Sequence, residues 1–296
     1  MRRRFFTLDV FTNRRYAGNP LAVVLEPQDL SGEAMQAIAR EFNLSETVFA
    51  FPPQQAAHRA RLRIFTPARE LPFAGHPTIG TAVLMAKLDD RAAGDLVLEE
   101  GIGPVACRIA AMDDEGGRAI FDLPQLPAQG SPLSDIEGIA AALGLAAEDI
   151  GFAGFQPGQW SAGNPMAFVP LRSLDAVRRS RADLSRWDAA FAGNTGAFIF
   201  CGETVEPGNA FHARMFAPSS GIAEDPATGS AAAALAGIIA DQGEIPDGDH
   251  EFVIEQGYEM GRPSLITLSL LLRGRKLTAA SIAGDAVIVS EGVIEA

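Results

Sequence analysis

The stretch Gly75-His76-Pro77-Thr78-Ile79-Gly80-Thr81-Ala82-Val83-Leu84-Met85-Ala86 occurs twice, in altered form. Its second copy is Glu224-Asp225-Pro226-Ala227-Thr228-Gly229-Ser230-Ala231-Ala232-Ala233-Ala234-Leu235. Both copies run: ionisable residue, Pro, two residues, Gly, hydroxyl residue, Ala, apolar run. Proline is favoured at a helix start and glycine allows close backbone approach, so each copy reads as a loop entering a helix. The expected helix over residues 228–240 has no polar face, and a helix apolar all round must be enclosed. At about a dozen residues it is too short for a bilayer, which takes roughly 20. The pattern therefore predicts central helices over 78–88 and 228–240, each wrapped by sheet.

The repeat reaches further. Arg63-Ile64-Phe65-Thr66-Pro67 precedes the first copy as Arg214-Met215-Phe216-Ala217-Pro218 precedes the second. Ala17-Gly18-Asn19-Pro20-Leu21-Ala22 recurs as Ala162-Gly163-Asn164-Pro165-Met166-Ala167, in the same order and at nearly the same separation. The expected fold is α+β: two pseudo-symmetric domains, each a mixed β-sheet around a central helix. If the halves face each other, both helix N-termini point into one cleft. Such termini attract anions through free N–H groups and the helix dipole, which points to a small carboxylate ligand.

Composition bounds the function. The 296 residues, 47% hydrophobic and 21% charged, suit two domains of ordinary size with ample core. A net charge of −13 leaves no basic face for nucleic acid. Arg2-Arg3-Arg4 reads as a solvated terminus. No signal peptide or membrane span is expected, and the two cysteines, Cys107 and Cys201, form no CxxC. A cytoplasmic protein is the expectation.

Along the chain, residues 5–11 and 21–25 read as strands, and a helix capped by Ser31 follows, with Leu30 stapled onto Met35. Strands follow over 48–51, 59–65, 96–100, 105–110 and 119–123. Residues 124–132 are the candidate linker, Ser134-Asp135-Ile136-Glu137 a capping box, and 174–187 a helix. Later strands fall at 168–171, 197–201, 210–216, 252–256, 265–272 and 277–282, and the last at 286–290.

Four residues could carry chemistry: Glu46, His76, Asp225 and Ser230. His76 and Asp225 hold the matching position of the two loops; each could face a ligand, or merely cap its helix. Ser230 aligns with Thr81 and could cap or bond locally. Gly80 and Gly229 could leave backbone N–H groups bare to cradle an anion. Glu46 stands where the second half, Asn194-Thr195-Gly196, has no carboxylate; alone it also reads as a surface turn residue. His58, His212 and His250 have no such context and read as structural. Walker, Gly-x-Ser-x-Gly and metal-spacing patterns are absent, leaving proton transfer by Glu, His and Asp without a cofactor or metal.

Asp9-Val10-Phe11-Thr12, Ala17-Gly18-Asn19-Pro20, Asn43-Leu44-Ser45-Glu46-Thr47, Pro72-Phe73-Ala74-Gly75-His76-Pro77-Thr78 and Glu224-Asp225-Pro226-Ala227-Thr228-Gly229-Ser230 together resemble the PhzF (phenazine biosynthesis) family from about Phe5 to the C-terminus. The resemblance implies a diaminopimelate epimerase-like fold, with an N-terminal half of residues 1–123 plus about 284–296, a C-terminal half of 124–283, and the active-site cleft between them. It further implies that the last strand returns to the first domain and that the protein is a homodimer. It implies isomerisation of a substrate like dihydro-hydroxyanthranilate, with Glu46 as proton shuttle, His76, Asp225 and Ser230 positioning the substrate, and Asn19, Gly75 and Gly229 lining its site. The epimerase's paired cysteines have no counterpart, since Cys107 and Cys201 lie outside both loops.

Two function classes follow. One is a cofactor-independent isomerase of a small amino or hydroxy acid, in which burial beside Val48 and Phe49 would raise the Glu46 pKa toward neutrality. The other is a non-catalytic small-carboxylate binding protein on the same scaffold. Glu46 favours the first, because binding a carboxylate gains nothing from another carboxylate.

Overall fold

Strand and helix alternate as the apolar spacing dictates, and the computed structural model describes residues 1–296, the Ser220 side chain aside. The chain divides into two units, Met1–Asp122 with Ala283–Ala296, and Leu123–Ile282.

The first unit opens with β1 (Arg2–Val10) and β2 (Asn19–Leu25), an antiparallel pair. Helix α1 (Gly32–Phe42) follows, then β3 (Glu46–Phe51), β4 (Ala60–Phe65), β5 (Glu70–Leu71), α2 (Gly75–Leu88), β6 (Gly94–Glu100), β7 (Gly103–Met112) and β8 (Gly116–Asp122). Ser31 caps α1 by accepting from the Ala34 N–H, and Leu30 packs on the cluster that contains Met35. Helix α2 is buried from Gly75 to Ala86 and lies against β1, β2, β3, β6, β7 and β8. That enclosure replaces the polar face the sequence lacks. Gly18 makes the turn into β2 at φ +62°, where a Cβ would sit 2.3 Å from the Val10 carbonyl oxygen, so no larger residue fits.

The second unit runs β9 (Ala128–Pro132), α3 (Ile136–Ala142), β10 (Gly158–Ser161), β11 (Pro165–Pro170), α4 (Leu174–Arg179), α5 (Leu184–Phe191), β12 (Ala197–Cys201), β13 (Phe211–Ala217), β14 (Ile222–Asp225), α6 (Gly229–Gln242), β15 (Gly248–Gln256) and β16 (Ser264–Arg273). The last strand, β17 (Lys276–Glu295), begins in the second unit and ends in the first. There it pairs antiparallel with β1, Val10 opposite Ala286 and Arg2 opposite Glu295. Helix α6 is buried from Ala231 to Ile239 and lies against β9, β10 and β16.

The succession of strand pairings is the same in both units. β1–β2 is antiparallel, β2–β3 parallel, β3–β4 and β4–β5 antiparallel, β4–β6 parallel and β6–β7 antiparallel. β10–β11, β11–β12, β12–β13, β13–β14, β13–β15 and β15–β16 repeat those senses in order. The repeated arginine does the same work twice. Arg63 forks onto Glu70 at 2.7 and 2.6 Å, and Arg214 forks onto Glu224 at 2.8 and 2.9 Å. Arg214 is buried, and its third nitrogen donates to the carbonyls of Val177 and Ser180 at the end of α4. Arg214→Leu strands Glu224 and those carbonyls, so stability should fall by about 3 kcal/mol, the lower end for a broken buried pair. Urea unfolding measures this; a loss under about 1 kcal/mol would show the pair to be ornamental.

Some expectations need correction. The helix expected over 174–187 is two helices, because the Ser180 N–H closes α4 and Asp183 caps α5 by accepting from Ser185 N. Asp135, not Ser134, caps α3 through the Gly138 N–H. The candidate linker contains β9, which pairs with β10. The strands expected at 277–282 and 286–290 are parts of one long strand. In the Arg2-Arg3-Arg4 run, Arg2 and Arg4 are solvent-exposed as expected, but the run lies in β1 and Arg3 is buried, donating to the Glu26 carbonyl, while Arg4 pairs with Glu291. Gly80 is an interior residue of α2, not a cradle. A Cβ there would meet Leu21 at 2.6 Å and Val10 at 2.7 Å, so its role is close packing of α2 on β1 and β2.

Candidate functional site

In the first unit the site residues collect at the start of α2. Parallel pairing sets Glu46, the first residue of β3, beside Leu21, two residues beyond Asn19. Asn19 is buried at the opening of β2, and Gly75 is the buried first residue of α2. His76 is the second residue of that helix, with Pro77 inside the first turn, where a missing N–H costs nothing. The helix thus starts earlier, relative to the repeated pattern, than the sequence predicts. His76 rides on the helix instead of preceding it.

His76 Nε2 lies 3.3 Å from Glu46 Oε2, with side-chain exposures of 4% and 12%. The contact has the distance of an ion pair but not the alignment of a hydrogen bond. Burial pushes the His76 pKa down to about 3, so the imidazole is neutral at physiological pH. A neutral imidazole beside a carboxyl group can give or take one hydrogen bond without fixing the carboxyl's charge.

Below His76, Thr78 Oγ1 lies 2.8 Å from the Ala74 carbonyl and 2.7 Å from Glu100 Oε1. A hydroxyl carries one proton and cannot donate to both. Burial pushes Glu100 up to about 8, which favours the protonated carboxyl at neutral pH. The consistent arrangement has Thr78 donating to Ala74 and the Glu100 acid donating to Thr78.

In the second unit Asp225 ends β14 and Thr228 is the N-cap residue of α6, followed by Gly229 and half-buried Ser230. Here the ionisable residue does precede its helix. Thr228 Oγ1 donates to Asp225 Oδ2 at 2.5 Å. Gln256 Oε1 accepts from the Thr228 N–H at 2.9 Å, and Gln256 Nε2 donates to the Asp225 carbonyl at 2.7 Å and to Thr228 Oγ1 at 3.0 Å. The first-turn amides of α6, Gly229 and Ser230 among them, lack intrahelical acceptors by the nature of a helix start. Thr81, the counterpart of Ser230, is instead buried in mid-helix.

Glu46 and His76 are thus in contact within one unit, while Asp225, Gly229 and Ser230 form one group within the other. Sequence reading missed Thr78, Glu100, Thr228 and Gln256. The available signal was the repeat: Glu99-Glu100 and Glu255-Gln256 close corresponding strands β6 and β15. His58 bonds Glu99 at 2.8 Å, and His212 sits buried between Glu255 at 2.8 Å and Glu259 at 2.9 Å. Burial opposes charge on His212, yet Glu259 and Glu255 outweigh it and hold its pKa above the ordinary value. Cys107 and Cys201 are buried thiols in β7 and β12, their pKa values pushed up by burial, and neither belongs to the signature loops. Among the described residues, no group of three or more His, Cys, Asp or Glu side chains could hold a metal ion, and no helix is long and apolar enough to cross a membrane.

The family model described as phenazine biosynthesis-like protein matches residues 8–292. The chain belongs to the PhzC-PhzF family. Among its PhzC-PhzF relatives, an uncharacterized isomerase of Mesorhizobium japonicum is 49% identical, over 98% of each chain. A trans-2,3-dihydro-3-hydroxyanthranilate isomerase of Pseudomonas aeruginosa is 36% identical, again over 98% of each. The crystal structure of the Bacillus anthracis phenazine biosynthesis protein of the PhzF family superposes with a TM-score of 0.89 at 27% identity, covering 100% of both chains. At the level of the family, the chain is a small-molecule isomerase.

Proposed function

We propose that this PhzC-PhzF protein moves a proton between two carbons of a small cyclic carboxylate of the dihydro-hydroxyanthranilate kind, with Glu46 as carrier and no cofactor. The observation that carries the reading is the buried Glu46–His76 contact at 3.3 Å, with the histidine held neutral. A carboxylate at Glu46 takes a proton from one carbon. The released electron pair shifts through the adjacent double bond, and the Glu46 acid returns a proton at the far carbon. Composition and oxidation state are unchanged overall. Neutral His76 can orient a substrate hydroxyl or amine without competing for the proton. Asp225 is assigned to an amine or hydroxyl, and the Gly229–Ser230 helix start to the carboxylate. Asn19 and Gly75 complete the proposed lining.

The test is incubation with trans-2,3-dihydro-3-hydroxyanthranilate, followed by proton NMR. Conversion to a rearranged isomer of equal mass is expected. Saturable binding without conversion would favour the binding-protein alternative. The working form proposed is a homodimer, an expectation that rests on family resemblance. Light scattering should then give twice the chain mass of 31.2 kDa, and a single-chain mass would remove the idea.

A further inference from the structure

Gln256 is fully buried and uses both ends of its amide on one loop. Its oxygen takes the Thr228 N–H, and its nitrogen gives to the Asp225 carbonyl and to the Thr228 hydroxyl. This network admits one amide orientation only, since a flipped amide would set donor against donor at the Thr228 N–H. With a lone pair of Thr228 Oγ1 engaged by Gln256, the hydroxyl proton is directed to Asp225 Oδ2.

The platform under Gln256 is densely hydrogen-bonded. Neighbouring Glu255 accepts from the amides of Val205 and Glu206 and from Asn209 Nδ2, at 2.8, 2.6 and 2.8 Å, and from His212, which also holds Glu259. The same device stands independently in the first unit. There Glu99 accepts from the amides of Gln54 and Gln55 and bonds His58, and the next residue, Glu100, reaches the threonine of the signature helix. A strand-end residue bonded to a threonine near the start of the signature helix therefore occurs twice, once as an amide and once as a carboxylic acid, although the two threonines stand one place apart in the repeat.

We propose that Gln256 is a positioning residue of the candidate site, acting through the Thr228 hydroxyl to hold the Asp225 carboxylate in one rotamer at the start of α6. The inference rests on the reading of Asp225 as a substrate-orienting group.

Crystal structures of Q256L, T228V and T228S, with kinetics on trans-2,3-dihydro-3-hydroxyanthranilate, test it. In Q256L and T228V the Asp225 side chain should leave its present rotamer, and kcat/KM should fall about ten- to hundredfold, as when a hydrogen bond to a charged group is lost. T228S keeps the hydroxyl and should retain both rotamer and turnover. The losses in the double variant should be less than additive, because both changes cut the contact that runs through the Thr228 hydroxyl to Asp225. If Q256L does not fold, the T228V and T228S pair decides. An Asp225 rotamer unchanged in T228V, or fully additive losses in the double variant, would overturn the proposal. Displacement of Asp225 with turnover unimpaired would leave Gln256 as the holder of the loop and overturn instead the reading of Asp225.

Discussion

Glu46→Gln should lower turnover by a factor on the order of 10² to 10⁴, the usual share of general acid–base catalysis, while ligand binding survives. The amide keeps the size and reach of the carboxyl but can neither take nor return a proton at neutral pH. Its neighbour His76 is a poor substitute as base, since burial disfavours its protonated form and lowers its pKa to about 3. His76→Ala and Asp225→Ala should weaken binding as well as turnover, because they orient the ligand. Isothermal titration of each variant with trans-2,3-dihydro-3-hydroxyanthranilate separates the two effects. Equal loss of affinity in all three variants would make Glu46 a binding group.

Glu100→Gln should stabilise the protein at alkaline pH. The folded-state pKa of Glu100, about 8, lies above its ordinary value of 4.5, so between these limits the folded state binds more protons than the unfolded one. No penalty exists below pH 4.5; stability is lost as pH rises toward and through 8. The glutamine keeps the shape and donates to Thr78 as Gln256 donates to Thr228, but it does not titrate. At pH 9 the variant should exceed the native chain by on the order of 5 kcal/mol, with little difference at pH 4.5. His76 sets the other limb with the opposite sign. Its folded pKa of about 3 lies below the ordinary 6.5, so its contribution is full above 6.5 and is lost as pH falls toward 3. That acid limb should persist in E100Q. Denaturant titrations at several pH values check both limbs; an unchanged alkaline limb in E100Q would mean that Glu100 is ionised in the native state.

What the sequence revealed depended on which residues have one physical use. The central helices were legible because 228–240 lacks a polar face and must be enclosed, and because the stretch leading into 78–88 repeats its pattern. The loops were legible because Pro, Gly and a hydroxyl residue recur in one order. Glu46 stood out by asymmetry, as a carboxylate where the other half has none. Other features needed tertiary packing. Glu100 and Gln256 are ordinary polar strand ends until the sheet closes over them. Gly80 reads like Gly229, and only Val10 and Leu21 pressed against it show that it serves packing. The break between α4 and α5 turns on Asp183 capping a new helix, a preference that competes with the apolar spacing through 174–187.

The most direct measurement is conversion of trans-2,3-dihydro-3-hydroxyanthranilate in deuterated water, followed by NMR with the native protein and E46Q side by side. Proton transfer by Glu46 predicts solvent deuterium at the carbon that gains a proton, to the extent that the Glu46 acid, its side chain 12% exposed, exchanges with water before it returns the proton within the same turnover. It also predicts at least a hundredfold slower conversion by E46Q. Conversion by E46Q at the native rate, with the same labelling, would contradict it.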